Sequence, residues 1–256
     1  MSAVSLVKKH IQDFRKHLKL TPPEKLTVRR LAPTETVMIV SPHPDDEVLM
    51  GALALRLQLE NKFKVLNVAV TLGSSRTRQA ERARELAEAT RLLKWSNVVL
   101  PEDWVKKPKQ LEQLITKHKP TLIIAPHAQD RHSTHIKTHE LVASCTRDFP
   151  GTIAWAEYWS PQETPNLLVE VDEKIILKLV RALECHRGEI ARNPYHLRLL
   201  GWQMDNVRRA SEWLSGSGAP SAPMLAGQLY RLERKEAEKK FPAFATMAHD
   251  LTDWLS

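Results

Sequence analysis

The sequence predicts an α/β fold: a Rossmann-like open, mostly parallel sheet with helices on both faces, followed by a helical C-terminal region. Three observations predict it. Val37-Met-Ile-Val40 and Leu122-Ile-Ile-Ala125 are unbroken apolar runs, the pattern of strands covered on both faces. Strand-like and helix-like segments alternate from residue 36 to about 190, which implies parallel crossovers. The remaining stretch, from about 191, loses that alternation and reads as helix.

In chain order, residues 4–19 form an amphipathic basic helix ended by Thr21, Pro22 and Pro23. Strands are predicted at 36–40, 64–71, 97–100, 121–125, 152–159 and 167–171. Helices are predicted at 47–60, 76–94, 111–119, 132–147 and 173–189, the last capped by Asp172. The Gly-, Ser- and Pro-rich stretch 215–223 is a loop by composition. The chain thus divides into a basic helix with its lead-in (1–35), an α/β domain (36–190) and a helical extension packed on that domain (191–256).

The 256 residues are 42% hydrophobic, enough for a substantial core. No apolar run reaches the roughly 20 residues of a membrane span. Residues 3–7 are too short for the core of a secretory signal, and Lys8, Lys9 and His10 follow at once. Two cysteines, Cys145 and Cys185, make no disulfide framework and read as buried inert thiols in a reducing cytoplasm. The formal charge of +8 suits nucleic acid, an anionic membrane surface or a phosphorylated substrate. The basic residues gather mildly at 8–19, 76–94 and 231–240, each reading as a solvated helix face. They lack the aromatic interleaving that a single-strand platform needs, so no nucleic-acid partner is expected. Neither a Gly-x-Gly-x-x-Gly nor a phosphate-loop string is present, and eight glycines leave little to build one from.

Two clusters carry chemistry. Ser41-Pro-His43-Pro-Asp45-Asp46-Glu47 follows the first strand directly. Three adjacent carboxylates raise one another's pKa unless a cation neutralises them, and a divalent metal does so simply. Taken alone, the cluster equally suits an acidic turn at a helix N-terminus. The second cluster, His127 to His139, follows the strand at 121–125 and holds four of the 11 histidines. A helix starting near His132 places His132, His135 and His139 on one face, with a spacing usable for metal ligation. Both clusters fall at strand carboxyl ends, where ligands bind in open parallel sheets.

The string His43-Pro-Asp-Asp-Glu47, paired with His132-Ser-Thr-His135, resembles the LmbE-like, or PIG-L, family of zinc-dependent N-acetylglucosaminyl deacetylases. The resemblance covers about residues 36–190 and implies zinc held by His43, Asp46 and His135. It implies Asp45 as general base and then acid to the amine, and His132 as the oxyanion's partner. Arg82-Ala-Arg-Glu85-Leu86 is similar to the family's Arg-x-x-Glu-Leu string, which makes Arg82 a substrate-binding residue. Ala182-Leu-Glu-Cys-His186-Arg187 is similar to the family's closing helix, with no role for His186. Where the family often has His-Pro-Asp-His, this chain lacks the acid; Asp130 is expected to raise the basicity of His132 instead, and Glu47 to stand behind the ligands. Glu157 is expected in the sugar pocket, with Tyr158 and Trp159 beside it.

The function so implied is removal of the N-acetyl group from an N-acetylhexosamine conjugate by metal-activated water and an Asp base. A zinc amidase for a larger acyl group, with the same site, is the alternative. A binding protein without turnover has no chemical need for the non-ligand Asp45. Iron(II) suits this donor set as well as Zn2+. The basic balance points to an anionic conjugate, nucleotide-linked or lipid-linked. For the N-terminal helix, packing on the domain is the ordinary expectation, and peripheral contact with the inner face of the membrane the alternative.

Overall fold

The computed structural model describes residues 2–18, 20 and 35–234. Seven strands form one sheet: β1 (Thr36–Ser41), β2 (Lys64–Ala69), β3 (Ser96–Val99), β4 (Leu122–Pro126), β5 (Thr152–Ala156), β6 (Leu167–Glu170) and β7 (Gly227–Arg234). Their spatial order is β3-β2-β1-β4-β5-β7-β6. The run from β3 to β5 is parallel, and β7 pairs antiparallel with both β5 and β6. The chain winds one way from β1 to β3 and then restarts on the other side at β4. This reversal opens a crevice between the carboxyl ends of β1 and β4, where the two chemical clusters begin.

Alternation along the strands splits the core in two. Val37 and Ile39 of β1 join Leu122 and Ile124 of β4 on one face. That face is covered by α1 (Ala3–His17), α3 (Ala52–Asn61), α4 (Arg76–Leu93), α7 (Glu173–Leu183) and α9 (Tyr195–Ser215). Met38, Val40, Ile123 and Ala125 point the other way, against α5 (Lys107–His118) and α6 (Ser133–Cys145). Val7 and Ile11 of α1 are buried in the first cluster, and Arg15 pairs with Glu173 of α7 at 3.3 Å. The apolar face of this basic helix is thereby packed on the protein. Its cluster's last member, Lys19, lies outside the described residues.

Three elements differ from the sequence expectation. The stretch expected as one helix over 47–60 is two, α2 (Asp46–Leu49) and α3, broken at Met50 and Gly51. A Cβ on Gly51 would stand 2.4 Å from the Glu47 carbonyl oxygen and 2.7 Å from the Trp95 ring, so the break requires glycine. The stretch expected as helix over 173–189 stops at Leu183 and resumes as α8 (Arg187–Arg192), which turns His186 inward. The C-terminal region supplies α9 as expected but also β7, in a stretch that includes Arg231 and had read as a basic helix face. Pairing decides the matter: Leu229, Tyr230 and Leu232 are buried between β5 and β6.

The strand β7 also completes the helix break. Gln228 Nε2 donates to the Leu49 carbonyl (2.7 Å), and Gln228 Oε1 accepts from Ala52 N–H (3.2 Å). The Tyr230 hydroxyl lies 2.9 Å from the Met50 carbonyl oxygen and accepts from Leu53 N–H at 3.1 Å. Backbone groups left over where α2 ends and α3 begins thus find partners 176 to 180 residues away. Among the described residues, no helix is long and apolar enough to cross a membrane.

Candidate metal centre and active site

Residues 42–47 turn sharply off β1. Asp45 has φ 104° and ψ −33°, a backbone conformation that side-chain-bearing residues rarely adopt. Its amide donates to Glu47 Oε2 at 2.8 Å. Asp46 is 1% exposed. Its Oδ2 accepts from His43 N–H (2.8 Å) and lies 3.2 Å from His43 Nδ1 and 3.3 Å from His135 Nε2. The Tyr158 hydroxyl donates to the other oxygen, Oδ1, at 2.9 Å.

The second cluster follows β4. His132 is the N-cap of α6, its ring nitrogen accepting from Thr134 N–H at 3.3 Å. One turn on, His135 is buried, with Nδ1 2.9 Å from Asp130 Oδ2. Asp130 therefore backs His135; to His132 it offers Oδ1 as acceptor for the backbone N–H at 2.9 Å. This corrects the expectation that it would act on the His132 ring. The rings of His43, His132 and His135 converge at centroid distances of 4.8–5.4 Å. His139 turns away, its ring packed at a tilt against Trp155 with centroids 4.3 Å apart and Nδ1 against the Pro126 carbonyl, so it does not share the face of its two neighbours. His127 lies 2.8 Å from the Ser160 carbonyl oxygen and serves the loop.

These residues fit a divalent metal. A tetrahedral site with bonds near 2.0–2.1 Å sets neighbouring ligand atoms about 3.3 Å apart. The Asp46 Oδ2 separations from His43 Nδ1 and His135 Nε2, 3.2 and 3.3 Å, match that edge. With Nδ1 held by Asp130, Nε2 is the His135 atom left to face Asp46; this buried atom has no hydrogen-bond partner of good geometry. A buried carboxylate oxygen this close to a buried, unpartnered imidazole nitrogen makes a place for a cation, a proton in the free site or a metal ion in the loaded one. One ligand atom each from His43, His132 and His135 also falls within 4.8 Å, so His132 stands close enough to touch what the centre holds.

Electrostatics agree. Burial disfavours charge on Asp46, yet His135 and His43 outweigh it and hold the carboxyl well below its ordinary range. Burial likewise lowers His135, but Asp46 and Asp130 more than compensate and push it up to about 10. Burial, and then the charge of Asp46, raise Asp45 well above its usual value, with Arg82 acting in opposition. Arg82 Nη2 donates to the Pro44 carbonyl (3.0 Å) and lies 3.8 Å from both Asp45 Oδ1 and Glu189 Oε1.

The centre opens into a cavity of about 780 Å³, lined by the loop 70–76, α4 with Arg78 and Arg82, and Trp159, Glu189 and Tyr195. At its edge Lys107 is fully buried, Nζ donating to the Val70 (2.6 Å) and Pro101 (2.5 Å) carbonyls and so tying the ends of β2 and β3 together.

Sequence reasoning brought His43, Asp45, Asp46, Arg82, His132 and His135 to one cavity, with Asp130 and Glu47 behind them. Glu157 is the exception. Its carboxylate is ion-paired with Arg209 and accepts from Gln162 N–H at 2.9 Å, facing a separate cavity of about 190 Å³. Strand β5 ends at Ala156, so side-chain alternation stops before 157, and it is Tyr158 that reaches Asp46. His186 was assigned no role from the sequence, yet its Nε2 lies 2.8 Å from Glu47 Oε1.

Residues 38–146 match the family model described as PIG-L: GlcNAc-PI de-N-acetylase. This stretch is a PIG-L domain. It holds the His43–Glu47 turn, α4 with Arg82, and the whole of α6. No curated protein matches the chain in sequence. Solved structures share the PIG-L domain's fold. N,N'-diacetylchitobiose deacetylase from Pyrococcus horikoshii is 20% identical at a TM-score of 0.59, over 78% of this chain and 84% of that one. The zinc-inhibited form of teicoplanin deacetylase Orf2 is 14% identical at 0.58, over 79% and 99%. GalB, the 4-carboxy-2-hydroxymuconate hydratase of Pseudomonas putida, is 15% identical at 0.59, over 80% and 99%. The scaffold of the PIG-L domain thus also carries a hydratase, and function has to be argued from the site.

Proposed function

We propose that this chain is a metal-dependent hydrolase that removes the N-acetyl group from a GlcNAc-type sugar conjugate. The observation that carries the reading is Asp46 Oδ2, set 3.2 and 3.3 Å from two imidazole nitrogens, one of them buried without a partner. His43, Asp46 and His135 would hold the ion, zinc or iron(II). When bound, it supplies Lewis-acid polarisation of the amide carbonyl and a water of lowered pKa.

The remaining steps belong to the chain. Asp45 takes the proton from the attacking water and delivers it to the departing amine nitrogen, so that amide and water become amine and acetate. Its raised pKa suits a group that must both accept and return a proton. His132, the most exposed of the three histidines, faces the cavity and supports the negative oxygen that develops on the carbonyl carbon. Arg82 steadies the turn through Pro44 and presents its guanidinium to substrate.

A cavity of about 780 Å³ falls in the roughly 300–1,000 Å³ range of whole-ligand pockets and admits a sugar with part of its aglycone. Arg76, Arg78, Lys137 and Arg192 line it, which favours an anionic conjugate. The groups given chemical roles in this reading lie within 36–190, and Arg192 and Tyr195 beyond them also line the cavity.

The test is metal content and acetate release, on wild type and Asp45→Ala side by side, across a panel of N-acetylglucosamine conjugates and their longer N-acyl analogues. About one metal per chain in both proteins, with turnover in wild type only, upholds the roles of the ligands and of Asp45. Turnover confined to longer acyl groups would shift the reading to a wider amidase. A wild type that binds no metal after supplementation sinks it.

A further inference from the structure

We propose that His186 is a positioning residue for Asp45, acting through the carboxylate of Glu47. The inference rests on Asp45 as the group that moves the proton. Glu47 and His186 are both 0% exposed. Glu47 divides its oxygens between two jobs: Oε2 accepts the Asp45 N–H at 2.8 Å, and Oε1 accepts from His186 Nε2 at 2.8 Å. The amide it holds belongs to the residue with φ 104°, a conformation that persists only where its surroundings fix it. Glu47 is that fixture, and His186 is what keeps Glu47 in place. Without the imidazole, one buried carboxylate oxygen has no donor, and the side chain gains reason to turn towards one.

His186 does not line the catalytic cavity, so it does not touch substrate. It caps α8, and the same short helix reaches Asp45 by a second route. Glu189, three residues on, stands 3.8 Å from Arg82 Nη2, which in turn stands 3.8 Å from Asp45 Oδ1. Helix α8 therefore addresses Asp45 twice: at the backbone through His186 and Glu47, and at the carboxylate through Glu189 and Arg82. The break between α7 and α8 is what allows both contacts.

The test measures kcat, KM and metal per chain for wild type, His186→Leu and His186→Gln. His186→Leu is expected to lower kcat about 10–100-fold, the usual cost of losing a group that orients a catalytic one, with KM within about twofold and metal unchanged. His186→Gln, whose Nε2–H can still donate to Glu47, is expected to return kcat to within about fivefold of wild type. If His186→Leu does not fold, His186→Gln against the shorter His186→Asn makes the same comparison. Wild-type kcat in His186→Leu, or equal losses in the Leu and Gln variants, overturns this inference and leaves the deacetylase reading standing. Absence of acetate release from metal-loaded wild type overturns both.

Discussion

The Tyr158 hydroxyl donates to Asp46 Oδ1 at 2.9 Å, so the carboxylate meets the histidines through Oδ2 alone. One oxygen is occupied and the other is aimed. Tyr158→Phe removes the aim while keeping the ring in its aromatic cluster with Trp159 and Trp202. Its zinc affinity should fall by about 10–100-fold, measured by competition with a chelator of known affinity. An unchanged affinity would mean that Asp46 is held by His43 N–H alone.

Asp130→Ala removes the acceptor of His135 Nδ1 and frees the ring to present either nitrogen. The expected result is again a loss of about 10–100-fold in zinc affinity, and not a change in KM for substrate. The same titration on Asp130→Asn separates charge from orientation, since the amide oxygen still accepts.

Zinc binding should also depend on pH with a definite sign. Burial alone lowers His135, but Asp46 and Asp130 raise it to about 10, so at neutral pH the metal-free site holds a proton where the ion would sit. Binding then releases that proton. Apparent affinity rises about tenfold per pH unit below about 10 and weakens as pH falls. Calorimetry in buffers of different ionisation enthalpy counts the released proton; a count of zero between pH 6 and 8 contradicts the assignment.

Glu157→Ala should act on stability. The carboxylate is 3% exposed and pairs with Arg209, which keeps Asp205 as a second partner at 3.0 Å. Breaking a buried pair costs about 3–5 kcal/mol when nothing replaces it, and Asp205 reduces this to about 2 kcal/mol. A clear drop in Tm with KM unchanged is expected; a raised KM at constant Tm would return Glu157 to the sugar pocket.

Gly51→Ala should destabilise by about 1–3 kcal/mol, because its Cβ meets the Glu47 carbonyl and the Trp95 ring below 3 Å. Denaturant unfolding reads the loss directly.

The parts of this protein legible in the sequence are those in which one residue type repeats for one reason. Val37–Val40 and Leu122–Ala125 are apolar at every position because β1 and β4 are covered on both faces, and they point to the crevice where the histidines gather. The strand β7 was not legible, because Arg231, Glu233 and Arg234 alternate with apolar residues in a way that a basic helix also permits. Its burial depends on pairing with β5 and β6, whose partner residues lie 57 or more positions earlier. Glu157, expected in the sugar pocket, faces a separate cavity, because parity along a strand holds only while the strand lasts and β5 ends at Ala156. His186 carries no local signal at all: it meets Glu47 139 residues away, across a helix break that helical periodicity does not foresee.

The dependence of the α2–α3 break on Gln228 and Tyr230 sets an order of events at the ribosome. The turn bearing the first proposed metal ligands leaves the exit tunnel early, and α6 follows with the rest. The strand that closes the backbone beside them arrives 180 residues after Met50. At roughly 5–20 residues per second that interval is about 10–40 s. A nascent chain stalled before residue 227 thus has every proposed ligand to zinc and an unfinished frame beneath them, so full metal affinity should be gained only once β7 has been made.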